Sequence, residues 1–123
     1  MRICFDIDGV IATGTEKEVY SNEAKWSYEN CTVVPGARAF LQKLAEEGHY
    51  IILHTARMKR DKIKTFNWLE LNNIPFNELH TGKPPATIYV DDRGFRFDGD
   101  WNKLKILIDE VKTKEIINEN ILN

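Results

Sequence analysis

The chain has 123 residues, of which 42% are apolar and 29% charged, and a formal net charge of −2. That is enough for one domain with a core, expected to span 1–123, and too little for two; the balance lacks the basic excess of a dedicated nucleic-acid binder. Two cysteines, no signal-peptide pattern and no apolar run near the roughly 20 residues of a membrane span leave a cytoplasmic protein as the expectation, with neither membrane nor nucleic acid as partner.

Arg2–Phe5 reads as a buried strand containing Cys4, and it runs directly into Asp6-Ile7-Asp8-Gly9. Residues 10–34 are long and irregular, with scattered aromatics at Tyr20, Trp26 and Tyr28. Connections of this length are usually functional or carry structure of their own. Pro35 and Gly36 open a helix with Ala37, Phe40, Leu41, Leu44 and Ala45 on one face, and Gly48 stops it. Tyr50–His54 is an almost continuous apolar run, as in a strand covered on both faces, and Thr55-Ala56-Arg57 follows it.

Residues 59–72 predict a second helix, with Ile63, Phe66 and Leu69 as its apolar side and Asn73-Ile74-Pro75 as its end. Glu78–His80 reads as a third strand, followed by Gly82-Lys83-Pro84. Residues 88–91 read as a fourth, closing in Asp91-Asp92. Asp100 is placed to cap a last helix whose apolar face holds Leu104, Leu107, Ile108 and Val111. Residues 113–123 are amphipathic at best and read as helix, fraying end or contact surface.

Strands alternating with helices predict βαβ units. The expected fold is a Rossmann-like parallel sheet with helices on both faces, a three-layer α/β/α domain without a large cap. Ligands of such sheets bind outside the carboxyl ends of the strands. Asp6, Thr55 and Asp91 fall at those ends, and Lys83 lies in the loop after the third strand. The predicted topology therefore gathers two carboxylate pairs, a hydroxyl and a lysine at one edge.

That set suits metal-assisted phosphoryl transfer. A phosphate monoester is a dianion, and its cleavage needs charge neutralisation, positioning and a nucleophile. Asp6 can attack phosphorus to give an aspartyl-phosphate. Asp8, two residues on, points to the same side of an extended backbone and can protonate the leaving oxygen and later activate water. Gly9 lets the backbone turn closely, and Thr55 with nearby N–H groups can hold phosphate oxygens. Lys83 can offset charge. Mg²⁺ favours hard oxygen ligands, here Asp6 and one of Asp91 or Asp92, with a backbone carbonyl near Asp8.

Each element alone has a plainer reading. Asp-x-Asp-Gly and Asp91-Asp92 can be turns, and Lys83 a solvated charge. Arg57, Lys59 and Arg60 read either as a solvated first helical turn or, for Arg57, as an anion contact at the pocket rim. His49, His54 and His80 show no metal spacing and read as surface or strand-edge residues. Trp26, Tyr28, Phe95, Phe97 and Trp101 read as packing residues rather than a base-stacking platform. The joint, ordered placement of the four motifs favours an enzyme.

In that order the chain resembles the haloacid dehalogenase superfamily of phosphohydrolases. Phe5-Asp6-Ile7-Asp8-Gly9, Leu53-His54-Thr55, Lys83 and Val90-Asp91-Asp92 match its four motifs over residues 3–92. The resemblance implies Asp6 as nucleophile, Asp8 as general acid/base, and Thr55 and Lys83 as phosphate contacts. It also implies Mg²⁺ held by Asp6, the Asp8 carbonyl and the Asp91-Asp92 pair, with Asp92 the direct ligand and Asp91 orienting. His54-Thr55-Ala56-Arg57, Gly82-Lys83-Pro84 and Asp91-Asp92-Arg93 look like small capless members associated with capsule and surface-polysaccharide biosynthesis.

Neither the segment between Thr55 and Lys83 nor residues 10–34 has room for a large cap. An open site, or one covered by another subunit of a homo-oligomer, is expected. The leading expectation is a Mg²⁺-dependent phosphatase for a small phosphorylated metabolite, such as a sugar phosphate. The alternatives are a phosphatase for nucleic-acid ends or phosphoprotein, and a non-catalytic phosphate-binding or assembly module, which would have no need of Asp8.

Overall fold

A computed structural model describes residues 1–14 and 30–122; Tyr20, Trp26 and Tyr28 lie outside them. The chain divides into two compact units, Met1–Ile88 and Tyr89–Asn123.

The first unit is mixed α/β. β1 (Arg2–Phe5), β4 (Tyr50–His54) and β5 (Glu78–His80) form a parallel sheet in the order β1-β4-β5. The register sets Phe5 beside Leu53 and Leu53 beside Leu79, so the three carboxyl ends lie level. β2 (Ala12–Thr13) pairs antiparallel with β3 (Thr32–Val33), which gives the long segment after β1 a fixed base at both ends.

α1 (Ala37–Glu46) follows Gly36 and buries Ala37, Leu41 and Leu44. Phe40 is only half-buried and Ala45 is exposed, so the stripe is narrower than the sequence pattern suggests. Gly48 ends the helix with φ 87, donating its N–H to the Ala45 carbonyl, while His49 donates to Leu44. Only a residue free of a Cβ reaches that backbone cheaply.

The second helix departs from expectation. A 3₁₀ turn at Lys59–Asp61 leads into α2 (Lys62–Leu71), which buries Thr65, Trp68 and Leu69. Ile63 is 75% exposed and Phe66 is exposed too, packing edge-on to Phe76 at 5.7 Å. A spacing of three drifts off a stripe set by 3.6 residues per turn, and Ile63 rotates out. The Trp68 indole N–H donates to the Cys31 carbonyl at 3.2 Å and anchors the buried side. Arg38 Nε reaches the Asn72 carbonyl at 2.6 Å and Gln42 the Asn73 carbonyl at 3.1 Å, tying α1 to the end of α2.

The sheet buries one face. Phe5, Ile51, Leu53 and Leu79 are core, while the alternate residues Arg2, Cys4, Tyr50, His54, Glu78 and His80 are half-buried or exposed. Two right-handed crossovers moving the same way across a sheet set both helices on one face, which explains the asymmetry. It also corrects the expectation of a buried Cys4. The open face is knit by polar contacts: Arg2 lies 4.5 Å over the Tyr50 ring and 3.3 Å from Glu78, and Glu78 meets His80 at 2.8 Å. His49, expected at the surface or a strand edge, directly precedes β4 and is buried, with Nδ1 3.0 Å from the Met1 amino group.

In the second unit α3 (Trp101–Leu122) is continuous through the expected tail. Asp100 caps it as expected, its Oδ1 accepting the Asn102 N–H at 2.9 Å. Leu104 and Ile108 are buried, Leu107 half-buried and Val111 exposed. Phe97 packs on Trp101 with ring centres 4.4 Å apart. Residues 88–91 do not form the expected fourth strand: Ile88, Tyr89 and Val90 are exposed, Val90 at 97%. A strand exists only through pairing. This three-residue apolar run, just after Pro84-Pro85, finds no partner strand among the described residues. Among the described residues no helix is long and apolar enough to cross a membrane.

Candidate active site

Phe5 and Ile7 are buried and Asp6 and Asp8 half-buried, so both carboxylates emerge on one side of the chain leaving β1. A tight turn fixes them. The Ile7 carbonyl accepts the N–H groups of Val10, Ile11 and Ala12 at 3.2, 2.8 and 2.9 Å, and Gly9 donates to the Ala12 carbonyl at 2.8 Å. Gly9 has φ 88, a left-handed value that favours glycine, and it is exposed.

Beyond β4 and β5 the hydrogen-bond ladder continues into the loops. Thr55 donates its N–H to the His80 carbonyl and accepts the Lys83 N–H on its own carbonyl, both at 2.9 Å. Gly82 donates to the Arg57 carbonyl at 2.9 Å. These bonds hold the loop after β5 against the loop after β4, with Lys83 half-buried beside Thr55. Thr55 is fully buried, and its hydroxyl oxygen accepts the Arg57 N–H at 3.1 Å. Ala56 is exposed on the same turn, as are Lys59 and Arg60, which fit the reading of a solvated first turn.

Burial raises the Asp6 carboxyl above the ordinary carboxylate range, and the Asp8 charge adds to the rise. Lys83, the Ile7 N–H at 2.8 Å and His54 pull the other way without cancelling it. His54 is driven down, first by burial and then by the Lys83 and His80 charges. The field of Lys83 therefore reaches both the Asp6 carboxylate and the end of β4.

Arg57 lies neither in solvent nor at an open rim; it is 3% exposed. Its Nη2 meets Asp8 Oδ1 at 2.6 Å and its Nε meets Asp8 Oδ2 at 3.0 Å, a two-pronged ion pair. Nη1 donates to the Thr65 hydroxyl at 3.2 Å, and Nη2 lies 4.0 Å from the Cys31 sulfur. Burial disfavours the guanidinium charge, but the bonds to Asp8 outweigh it and raise its pKa further. Sequence reasoning passed over Thr65. The available signal was a hydroxyl at i−3 and i−4 from Trp68 and Leu69, on the apolar side of α2.

Asp6, Asp8, Gly9, Thr55, Ala56, Arg57 and Lys83 all belong to the first unit and cluster at or just beyond strand ends. Asp91 and Asp92 belong to the second, where both are exposed and Asp91 Oδ1 accepts the Arg93 N–H at 2.8 Å, as in an Asx turn. Among the described residues no group of three or more His, Cys, Asp or Glu side chains is gathered for a metal. Mg²⁺ rarely uses an all-protein cage; it takes one or two carboxylates and completes its shell with phosphate oxygens and water. Asp6 fits that mode: it is an oxygen donor whose charge burial penalises.

No family model matches the chain, and the search of curated proteins found no match. The crystal structure of an MCSG target from Vibrio cholerae is similar to it, with a TM-score of 0.58 and 24% identity over 77% of this chain and 82% of that chain. At that identity the likeness is one of fold.

Proposed function

We propose that the chain is a Mg²⁺-dependent phosphomonoesterase that works through an aspartyl-phosphate on a small phosphorylated metabolite, a sugar phosphate being one candidate. The observation that carries this reading is the pairing of Asp6 and Asp8 on one side of the β1 exit, with Lys83 held over the same edge by the Thr55 ladder. In the first step an Asp6 carboxylate oxygen bonds to phosphorus, the bond from phosphorus to the leaving oxygen breaks, and Asp8 gives that oxygen a proton. In the second, Asp8 takes a proton from water as the water oxygen attacks phosphorus. The acyl-phosphate bond then breaks, freeing inorganic phosphate and Asp6. Lys83 offsets negative charge in both steps.

Asp6 and the Asp8 backbone carbonyl would hold Mg²⁺, which when bound supplies charge neutralisation to phosphate oxygens. In this reading the domain is a capless three-layer α/β/α unit. A homo-oligomer belongs to the same reading: α3 leaves Ile106, Val111, Ile116, Ile117 and Ile121 exposed, more apolar surface along one helix than a lone solvated helix needs.

An aryl phosphate assay tests the function. Release of aryl alcohol should disappear in excess chelator and return with added Mg²⁺. Full activity in excess chelator would overturn the metal requirement, and no release under any divalent condition would overturn the hydrolase.

A further inference from the structure

We propose that Arg57 is the positioning residue of the acid/base group, a buried fork that fixes Asp8 and is itself fixed by Thr65 of α2. This rests on the phosphatase reading above. The sequence offered Arg57 as a phosphate contact, but its position gives it another task. Its guanidinium is buried, and two of its nitrogens are engaged by the two oxygens of one carboxylate, at 2.6 and 3.0 Å. A two-pronged Arg–carboxylate pair fixes the plane of the carboxylate as well as its position.

Asp8 stands just before the Gly9 turn and has its own torsions to settle; the fork settles them. The chain of contacts continues inward. Nη1 donates to the Thr65 hydroxyl at 3.2 Å, Thr65 is fully buried, and Trp68 one turn further on is bonded to the Cys31 carbonyl at 3.2 Å. The Arg57 backbone is pinned as well: its N–H donates to Thr55 Oγ1 at 3.1 Å and its carbonyl accepts the Gly82 N–H at 2.9 Å. α2 thereby bears on the orientation of Asp8 through Arg57. The loops after β4 and β5 are both tied to the same arginine.

Such a role separates from phosphate binding in the kinetics. A group that orients Asp8 acts on the step in which Asp8 activates water, and leaves substrate affinity nearly unchanged. A group that holds phosphate acts on KM. With an aryl phosphate, whose leaving group needs little protonation, the first step should survive loss of orientation and the second should slow.

The experiment compares wild type, Arg57→Lys, Arg57→Ala and Thr65→Val with 4-nitrophenyl phosphate in rapid-quench and steady-state modes, with folding of each variant checked by thermal melting. Arg57→Ala should keep a burst of aryl alcohol, lose about 10²-fold in steady-state turnover, the lower end of what acid/base groups contribute, and lower KM along with it, so that kcat/KM stays within about threefold. Added guanidinium chloride should restore part of that turnover, whereas sodium chloride at equal concentration should not.

Arg57→Lys keeps a charge but not the fork, and should lose turnover nearly as far as Arg57→Ala. Thr65→Val keeps the ion pair and frees only its far side, so it should lose turnover by a smaller factor, about 3–10-fold, without a rise in KM. This variant decides the matter if Arg57→Ala fails to fold. A rise in KM with turnover intact in Arg57→Lys would overturn the proposal and return Arg57 to phosphate binding. Wild-type turnover in both Arg57→Lys and Thr65→Val would overturn it as well. A wild type that releases no aryl alcohol would instead sink the phosphatase reading, and the positioning role with it.

Discussion

Asp6 is a costly residue for the fold and a useful one for chemistry. Burial holds its carboxyl above the ordinary range, so ionising it works against the native state. A carboxyl whose folded pKa is raised contributes stability that is complete below its unfolded value, about 3.9, and that is lost as pH rises through the folded value. Asp6→Asn should therefore raise the melting temperature at neutral pH without divalent cations, by about 2–4 °C. The gain should shrink as pH is lowered through the carboxylate range, which calorimetry at several pH values reads directly. A melting temperature that falls on substitution at pH 7 would contradict the burial argument. At this scale Asp6, Asp8 and Lys83 were legible because each follows a short strand signal by one to three residues. The role of Arg57 was not legible. Its partner Asp8 lies 49 residues away in sequence, and no local pattern separates an exposed cation at a helix start from a buried one that turns inward.

The strands and helices that carry the site were legible from apolar runs and glycine or proline punctuation, and their faces less so. α2 is the instructive case. Spacing by threes pointed to Ile63, Phe66 and Leu69, whereas the buried stripe is Thr65, Trp68 and Leu69, so only Leu69 is shared. Ile63→Glu should therefore change unfolding free energy by no more than about 0.5 kcal/mol, while Leu69→Ala should cost about 2–5 kcal/mol. Urea titration checks both, and equal losses would put the face where the sequence had it. Trp68→Phe removes one donor and leaves the Cys31 carbonyl without it, at a cost of about 1–3 kcal/mol. The segment 88–91 was misread for a different reason. An apolar triplet says that a strand is affordable, but pairing decides whether it forms, and periodicity carries no information on pairing.

At the scale of the whole molecule, the boundary between the two units falls at Ile88 and Tyr89, inside the segment that had been expected to close the sheet. The sequence could show that acidic pairs follow apolar runs; it could not show how the second unit uses Asp91 and Asp92. The proposed homo-oligomer should appear in light scattering as a mass that is a multiple of 14.3 kDa, and a strictly monomeric species at assay concentration would contradict it. The central claim is covalent attack by Asp6. Its most direct test is rapid quench of 4-nitrophenyl phosphate turnover in Mg²⁺, with the quenched protein digested and weighed. Wild type should give a burst of aryl alcohol and a phosphate mass on the peptide that contains Asp6. Asp8→Asn should give the burst and then stall by about 10²–10⁴-fold, and Asp6→Asn should give neither burst nor label. A burst from Asp6→Asn, or wild-type turnover with no phosphate ever retained on the Asp6 peptide, would contradict the account.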